Sequence, residues 1–172
     1  TILLLLYKSW WMKLVFTMPS VDFQPATSFS ILIPARNEEK NIAACLQSIQ
    51  QLNYPKHLVE VIVMDDFSDD ATVSTARQFA GVKIVQLKDV VKEKINSYKK
   101  KAIEIGVEYS TGKYIVTTDA DCIVPANWLL NFAFIIEQEP TVFIAAPVAM
   151  KEESSFIKLF QSLDLITLPG NT

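Results

Sequence analysis

Lys113-Tyr114-Ile115-Val116-Thr117-Thr118-Asp119-Ala120-Asp121 is the stretch on which the reading of this chain turns. Its β-branched and aromatic start reads as a strand, and it closes on two carboxylates two residues apart. Side chains two apart on an extended segment point the same way. Asp119 and Asp121 are therefore expected to face one ligand. Hard oxygen donors in pairs suit Mg²⁺ or Mn²⁺, which take one or two carboxylates and leave positions for phosphate oxygens. Asp-x-Asp also occurs in ordinary turns, so its weight depends on what lies upstream.

Upstream, extended and helical patterns alternate. Phe29-Ser30-Ile31-Leu32-Ile33 reads as a buried strand ended by Pro34. Residues 38–52 follow with Ile42, Cys45, Leu46, Ile49 and Leu52 at helical spacing, and Asn53-Tyr54-Pro55 breaks the pattern. Val59-Glu60-Val61-Ile62-Val63-Met64 is a second strand, and residues 71–80 a helix with Val73, Ala76 and Ala80 inward. Val82-Lys83-Ile84-Val85 is a third strand. A Lys-rich polar loop leads to a helix over residues 98–109, with Ala102, Ile105, Gly106 and Tyr109 on its buried face. After the Tyr114 strand, a helix over residues 127–138 buries Trp128, Phe132 and Ile136. Val142-Phe143-Ile144-Ala145-Ala146 reads as a further strand, and residues 154–167 as a last helix. Apolar strands separated by amphipathic helices predict an α/β fold, a mostly parallel sheet covered on both faces.

In open parallel sheets, ligands bind in the crevice outside the carboxyl ends of the strands. Polar clusters follow three strands here: Pro34-Ala35-Arg36-Asn37-Glu38, Asp65-Asp66-Phe67-Ser68-Asp69-Asp70, and Asp119-Ala120-Asp121. Any one alone reads as loop chemistry, and Ser68 or Asp69 is expected to cap the second helix. Three at one sheet edge make a site. No Gly-rich phosphate loop is present, so a dinucleotide fingerprint and a P-loop are both excluded.

The chain has 172 residues, 50% apolar and 20% charged, with a net charge of -3. That balance suits one globular domain and gives no basic surface for nucleic acid. His57 is the single histidine, a loop residue beside Pro55, so neither a His-based triad nor a zinc site can be built. Cys45 and Cys122 supply no disulfide framework and read as reduced thiols.

The three clusters together resemble the family 2 glycosyltransferases, over residues 29–166. The likeness rests on Pro-x-x-Asn-Glu (Pro34, Asn37, Glu38) and on Tyr54-Pro55 before a strand ending in Asp-Asp-x-Ser-x-Asp (Asp65, Asp66, Ser68, Asp70). Lys99, Ala102 and Gly106 as Lys-x-x-Ala with a Gly beyond, then Asp119-Ala120-Asp121, complete it. The resemblance implies a GT-A, Rossmann-like fold and an inverting, metal-dependent transfer from a nucleotide-diphosphate sugar, with a UDP-sugar first in line. By that resemblance Pro34, Arg36 and Glu38 would line the base and ribose, and Asp66 would accept a hydrogen bond from the base. Lys99 would approach the diphosphate, Asp119 the ribose or sugar, and Asp121 would hold Mg²⁺ or Mn²⁺. The acceptor is left open among polysaccharide, such as that of the cell envelope, lipid carrier and protein.

The chain also departs from the family. Tyr98 stands where a Gly usually precedes the lysine, and Lys100 and Lys101 follow, so which lysine meets the diphosphate stays open. The later acidic motif with the catalytic base and the Gln-x-x-Arg-Trp motif are absent, and no Asp or Glu follows Asp164. The base is expected beyond Thr172, and the 172 residues are expected to bind donor weakly with little or no turnover. A phosphorylation-controlled receiver domain shares the paired acids after a strand, but has no place for the unit over residues 29–52. An NDP-sugar-forming nucleotidyltransferase needs a Gly-rich basic loop. A degenerate, non-catalytic nucleotide-binding module does not need acids at all three strand ends.

Ile2-Leu3-Leu4-Leu5-Leu6, followed by Tyr7, Lys8, Trp10, Trp11 and Lys13, has the aromatic and cationic mixture of a membrane interface. Five apolar residues cannot span a bilayer, which needs roughly 20. Residues 1–20 are expected to be a membrane-proximal segment, the end of a spanning helix or a helix packed on the domain. Residues 21–172 are expected to form the donor-binding part of a longer membrane protein whose domain faces the cytoplasm.

Overall fold

The computed structural model describes residues 19, 20, 22–90, 98–139 and 141–146. The expected membrane-interface residues 2–13 and the expected helix over residues 154–167 lie outside them. Two compact units divide the chain, Thr1–Gln138 and Glu139–Thr172; the fold described next is that of the first. Its order is β1 (Phe29–Ala35), α1 (Ile42–Gln50), β2 (Val59–Asp65), α2 (Thr72–Ala76), β3 (Val82–Gln86), α3 (Leu87–Val90), α4 (Tyr98–Tyr109), β4 (Tyr114–Thr117) and α5 (Trp128–Gln138). A short 3₁₀ turn, Lys56–Leu58, precedes β2 and carries the exposed His57.

The sheet runs β3-β2-β1-β4, all parallel. Its centre is the most apolar strand: Ile31, Leu32 and Ile33 of β1 are wholly buried. Alternation sends them to opposite faces. Ile31 and Ile33 pack with Ile42, Cys45, Leu46 and Ile49 of α1 and with Leu129 and Ala133 of α5. Leu32 packs with Ile62, Met64 and Leu87 and with Ala102 and Ile105 of α4. Gly106 lets α4 lie close, since a Cβ there would sit 2.9 Å from Leu32 Cδ1. β4 has one covered face: Tyr114 and Val116 pack on the core, while Ile115 and Thr117 are exposed. The α/β parallel sheet expected from the sequence is the sheet observed.

Register aligns the strand ends that matter. Ala35 pairs with Asp65 across β1 and β2, and Leu32 with Thr117 across β1 and β4. Thr118 N–H then donates to Leu32 O (3.1 Å), which delivers the acidic tetrad beside the end of β1.

Several local expectations are corrected. The first helix begins at Ile42, because the backbone of residues 37–39 is bonded to the loop after β2 and to the first residue of α2. The second helix stops at Ala76, and Ala80 is exposed, with Phe79 packing inward instead. Neither Ser68 nor Asp69 caps it; Asp70 Oδ1 accepts from Thr72 N–H (2.9 Å). Tyr109 is exposed at the end of α4, where Lys83 Nζ lies 5.1 Å from its ring centroid. On α5 the fully buried stripe is Leu129 and Ala133, with Trp128, Phe132 and Ile136 half-buried beside it. In the second unit, residues 141–146 form no strand. An apolar run becomes a strand only by pairing, and no described strand pairs with Val142 or Phe143.

Candidate functional site

Three loops leave the same edge of the sheet. Beyond β1, Pro34 and Ala35 give way to Arg36, and Asn37 takes a left-handed backbone, φ 55°. Beyond β2, Asp66 N–H donates to Ala35 O (2.8 Å) and Phe67 is also left-handed, φ 53°. Left-handed backbone is uncommon outside glycine, though Asn tolerates it. Beyond β4 the tetrad is a turn, not an extension of the strand: Cys122 N–H donates to Asp119 O (3.1 Å), and Ala120 is buried in the core. The extended-strand argument for the two acids is therefore replaced. A turn pinned by Ala120 brings both carboxylates to one cleft.

That cleft is about 220 Å³. Pro34, Arg36 and Glu38 line it from the β1 side, Asp66 from β2, and Lys99 from the first turn of α4. Asp119 and Asp121 line it from the β4 side. Every site residue expected from the sequence meets there, and Ala35 and Ala120 complete the lining. Among the three neighbouring lysines, Lys99 reaches the cleft, while Lys101 Nζ pairs with Glu104 Oε2 on α4 itself (3.2 Å).

Two ion pairs stand in the cleft. Lys99 Nζ is 2.7 Å from Asp119 Oδ1, an exposed pair open to exchange with a ligand. Arg36 Nη1 is 3.5 Å from Asp66 Oδ2. Among the described residues, Asp66 Oδ1 is buried without a hydrogen-bond partner. A buried acceptor left unmatched is destabilising, so this oxygen suits a donor N–H brought by a ligand. Burial pushes the Asp66 carboxyl above its ordinary value, against the opposing pull of Arg36.

The thiols are not activated. Burial pushes Cys45 up to about 12, and Cys122 is raised by burial and then by Asp121 and Asp119. Both are free, and Cys45 Sγ reaches Asp119 O at 3.7 Å. Asp119 and Asp121 are exposed, and among the described residues no three His, Cys, Asp or Glu form a cage for a metal. Two carboxylates in an open cleft fit a Mg²⁺- or Mn²⁺-type cation that shares its coordination with ligand phosphates.

A set of bonds missed by the sequence reading joins the first two loops. Asn37 N–H donates to Ser68 Oγ (3.0 Å), and Asp69 N–H donates to Asn37 Oδ1 (3.0 Å). Glu38 N–H donates to Thr72 Oγ1 (2.7 Å), Glu39 N–H to Asp70 Oδ2 (3.0 Å), and Ala71 N–H to Glu39 Oε2 (3.2 Å). Ser, Asn, Asp and Thr crowding two loops is the signal that foretells such side-chain-to-backbone bonds.

Residues 30–168 match the model of glycosyl transferase family 2. Glycosyltransferase AglE of Haloferax volcanii is 37% identical over 101 residues, covering 58% of this chain and 32% of its own length. The 4,4'-diaponeurosporenoate glycosyltransferase of Staphylococcus aureus is 42% identical over 94 residues, 55% of this chain and 24% of its own. The chain thus spans a third or less of the length of these relatives. Among solved structures, the mannosyltransferase PcManGT from Pyrobaculum calidifontis, in complex with GDP-Man and Mn²⁺, superposes with a TM-score of 0.66 at 27% identity, over 92% of this chain and 45% of its own.

Proposed function

The chain belongs to glycosyl transferase family 2, and from that premise we propose that its cleft holds the donor of an inverting transfer, a nucleotide-diphosphate sugar bound with Mg²⁺ or Mn²⁺. The observation that carries this reading is the convergence of Pro34, Arg36, Glu38, Asp66, Lys99, Asp119 and Asp121 on one cleft from three strand ends and a helix. A UDP-sugar is the first candidate donor. GDP-mannose, the ligand of PcManGT, is the second.

Pro34, Arg36 and Glu38 border the base and ribose, and the unmatched Asp66 Oδ1 accepts from the base. Lys99 leaves Asp119 to meet the diphosphate, and Asp119 turns to the ribose or sugar. Asp121 holds the cation, which when bound neutralises charge building on the leaving diphosphate. Inversion also needs a carboxylate to take the proton of the acceptor hydroxyl. That role is assigned to none of the acids of this cleft, since each has a place in donor binding. The acceptor is a glycan or a lipid.

Residues 1–20 attach the parent protein to a membrane, with the cleft on the cytoplasmic side where nucleotide-sugars are made. Their Leu run, tryptophans and lysines support this. Flotation of the parent protein with liposomes, with and without residues 1–18, tests it; an undeleted parent that stays soluble without detergent contradicts it.

Saturation-transfer NMR with UDP-glucose and GDP-mannose in Mg²⁺ tests the donor reading. Transfer to base and sugar protons of one of them is expected. Absence of transfer to both nucleotide-sugars contradicts the proposal.

A further inference from the structure

We infer that Asn37, which does not line the cleft, is the positioning residue that sets Arg36 and Asp66 in register for the nucleotide; this rests on the donor reading above. Asn37 stands at the crossing of two loops about thirty residues apart in sequence. Its backbone N–H donates to Ser68 Oγ at 3.0 Å, and its side-chain Oδ1 receives Asp69 N–H at 3.0 Å. Asn37 makes both bonds from a left-handed backbone, φ 55°, and Phe67, just before their partners Ser68 and Asp69, is itself left-handed at φ 53°. Asn meets both demands: it tolerates this backbone, and its short side chain ends in an acceptor.

The residues on either side of the clasp do the touching. Arg36 precedes Asn37 and Asp66 precedes Phe67; both line the cleft, and their side chains meet at 3.5 Å. Opening the Asn37–Asp69 bond removes the side-chain half of the clasp beside Arg36 and Asp66 and leaves the backbone bond of Asn37 to Ser68. The bonds of Glu38 to Thr72 and of Glu39 to Asp70 and Ala71 remain. The fold should therefore survive, and the loss should appear in ligand geometry.

Three substitutions separate backbone from side chain. Asn37→Gly keeps the left-handed backbone and loses the acceptor, Asn37→Asp keeps both, and Asn37→Ala loses both. Calorimetric titration with UDP and with GDP in Mn²⁺, beside thermal unfolding, gives the readout. For the nucleotide that the unchanged chain binds, Asn37→Gly is expected to lose about tenfold in affinity. Asn37→Ala should lose more, and Asn37→Asp should recover most of the loss, with unfolding midpoints little changed.

A purely structural role would add its loss to that of Asp66→Ala. A positioning role acting through Asp66 should add little in the double variant Asn37→Gly/Asp66→Ala. Affinity of Asn37→Gly equal to that of the unchanged chain, or undiminished additivity with Asp66→Ala, would overturn the role of Asn37 alone. If the unchanged chain binds neither UDP nor GDP, the donor reading itself falls and this role with it.

Discussion

Arg36 Nη1 lies 3.5 Å from Asp66 Oδ2, tying the residue after β1 to the residue after β2 at the mouth of the cleft. The partners differ in setting: the Arg36 side chain is 57% exposed and the Asp66 side chain 10%. Asp66 is thus held by two opposed influences. Burial raises its carboxyl above the ordinary value, and the neighbouring guanidinium draws it back.

This balance gives a pH prediction. A raised carboxyl stays protonated to a higher pH than usual, and only its ionised form offers both oxygens as acceptors. Nucleotide affinity should therefore fall as pH drops through the Asp66 titration. Arg36→Ala removes the lowering influence, so the midpoint of that fall should move to higher pH. Titrations with UDP between about pH 4 and 8, a window spanning the ordinary and raised carboxylate range, check this. A midpoint that stays put or moves down contradicts it.

Asp66→Ala should weaken nucleotide binding with or without metal, because the role proposed for it is a hydrogen bond to the base. The loss of such a bond in a partly buried site costs roughly 1–3 kcal/mol, about 5- to 150-fold in affinity. A loss seen only with metal present would move Asp66 into the metal's coordination sphere.

The sheet was legible because β1 and β2 are apolar runs of strand length that end in polar clusters. The parallel arrangement follows from the helical spacing between them. The site residues were legible for the same reason: Pro34 lies just before β1 ends at Ala35, Asp66 follows β2, and Asp121 lies in the turn after β4. The details that failed are set by tertiary contacts. Ala80 and Tyr109 fit a helical stripe but fall past the point where their helices leave the core. Asp119 and Asp121 meet through a turn anchored by Ala120, which strand periodicity cannot foresee. The Asn37 clasp depends on two loops whose nearness exists only once β1 and β2 pair.

Packing of the two glycines around β1 separates by what a Cβ would strike. At Gly112 it would lie 2.5 Å from Ser30 N and 2.6 Å from Phe29 C, both backbone. At Gly106 the nearest atom is the end of a flexible side chain, Leu32 Cδ1 at 2.9 Å. Gly112→Ala should destabilise by about 1–3 kcal/mol, as overpacking does. Gly106→Ala should cost less, since a gain of up to about 1 kcal/mol in helix propensity offsets its clash. Urea unfolding ranks them, and the reverse order would refute the packing account.

Lys99→Ala should weaken UDP far more than UMP, because the lysine is proposed to meet the diphosphate once it leaves Asp119. Equal losses for the two nucleotides, measured by calorimetry in Mg²⁺, would remove Lys99 from that contact and reopen Lys100 and Lys101.

The central claim is that the cleft binds a nucleotide diphosphate together with a cation held by Asp121, and calorimetry of the unchanged chain and of Asp121→Asn, with UDP and GDP in the presence and absence of Mn²⁺, tests it most directly. A neutral amide is a poor ligand for such a cation, and Asp121 is exposed rather than part of the core. The expected result is binding that Mn²⁺ strengthens in the unchanged chain, and a metal effect lost in Asp121→Asn at an unaltered unfolding midpoint. Equal Mn²⁺-strengthened affinity in the two proteins would contradict the account.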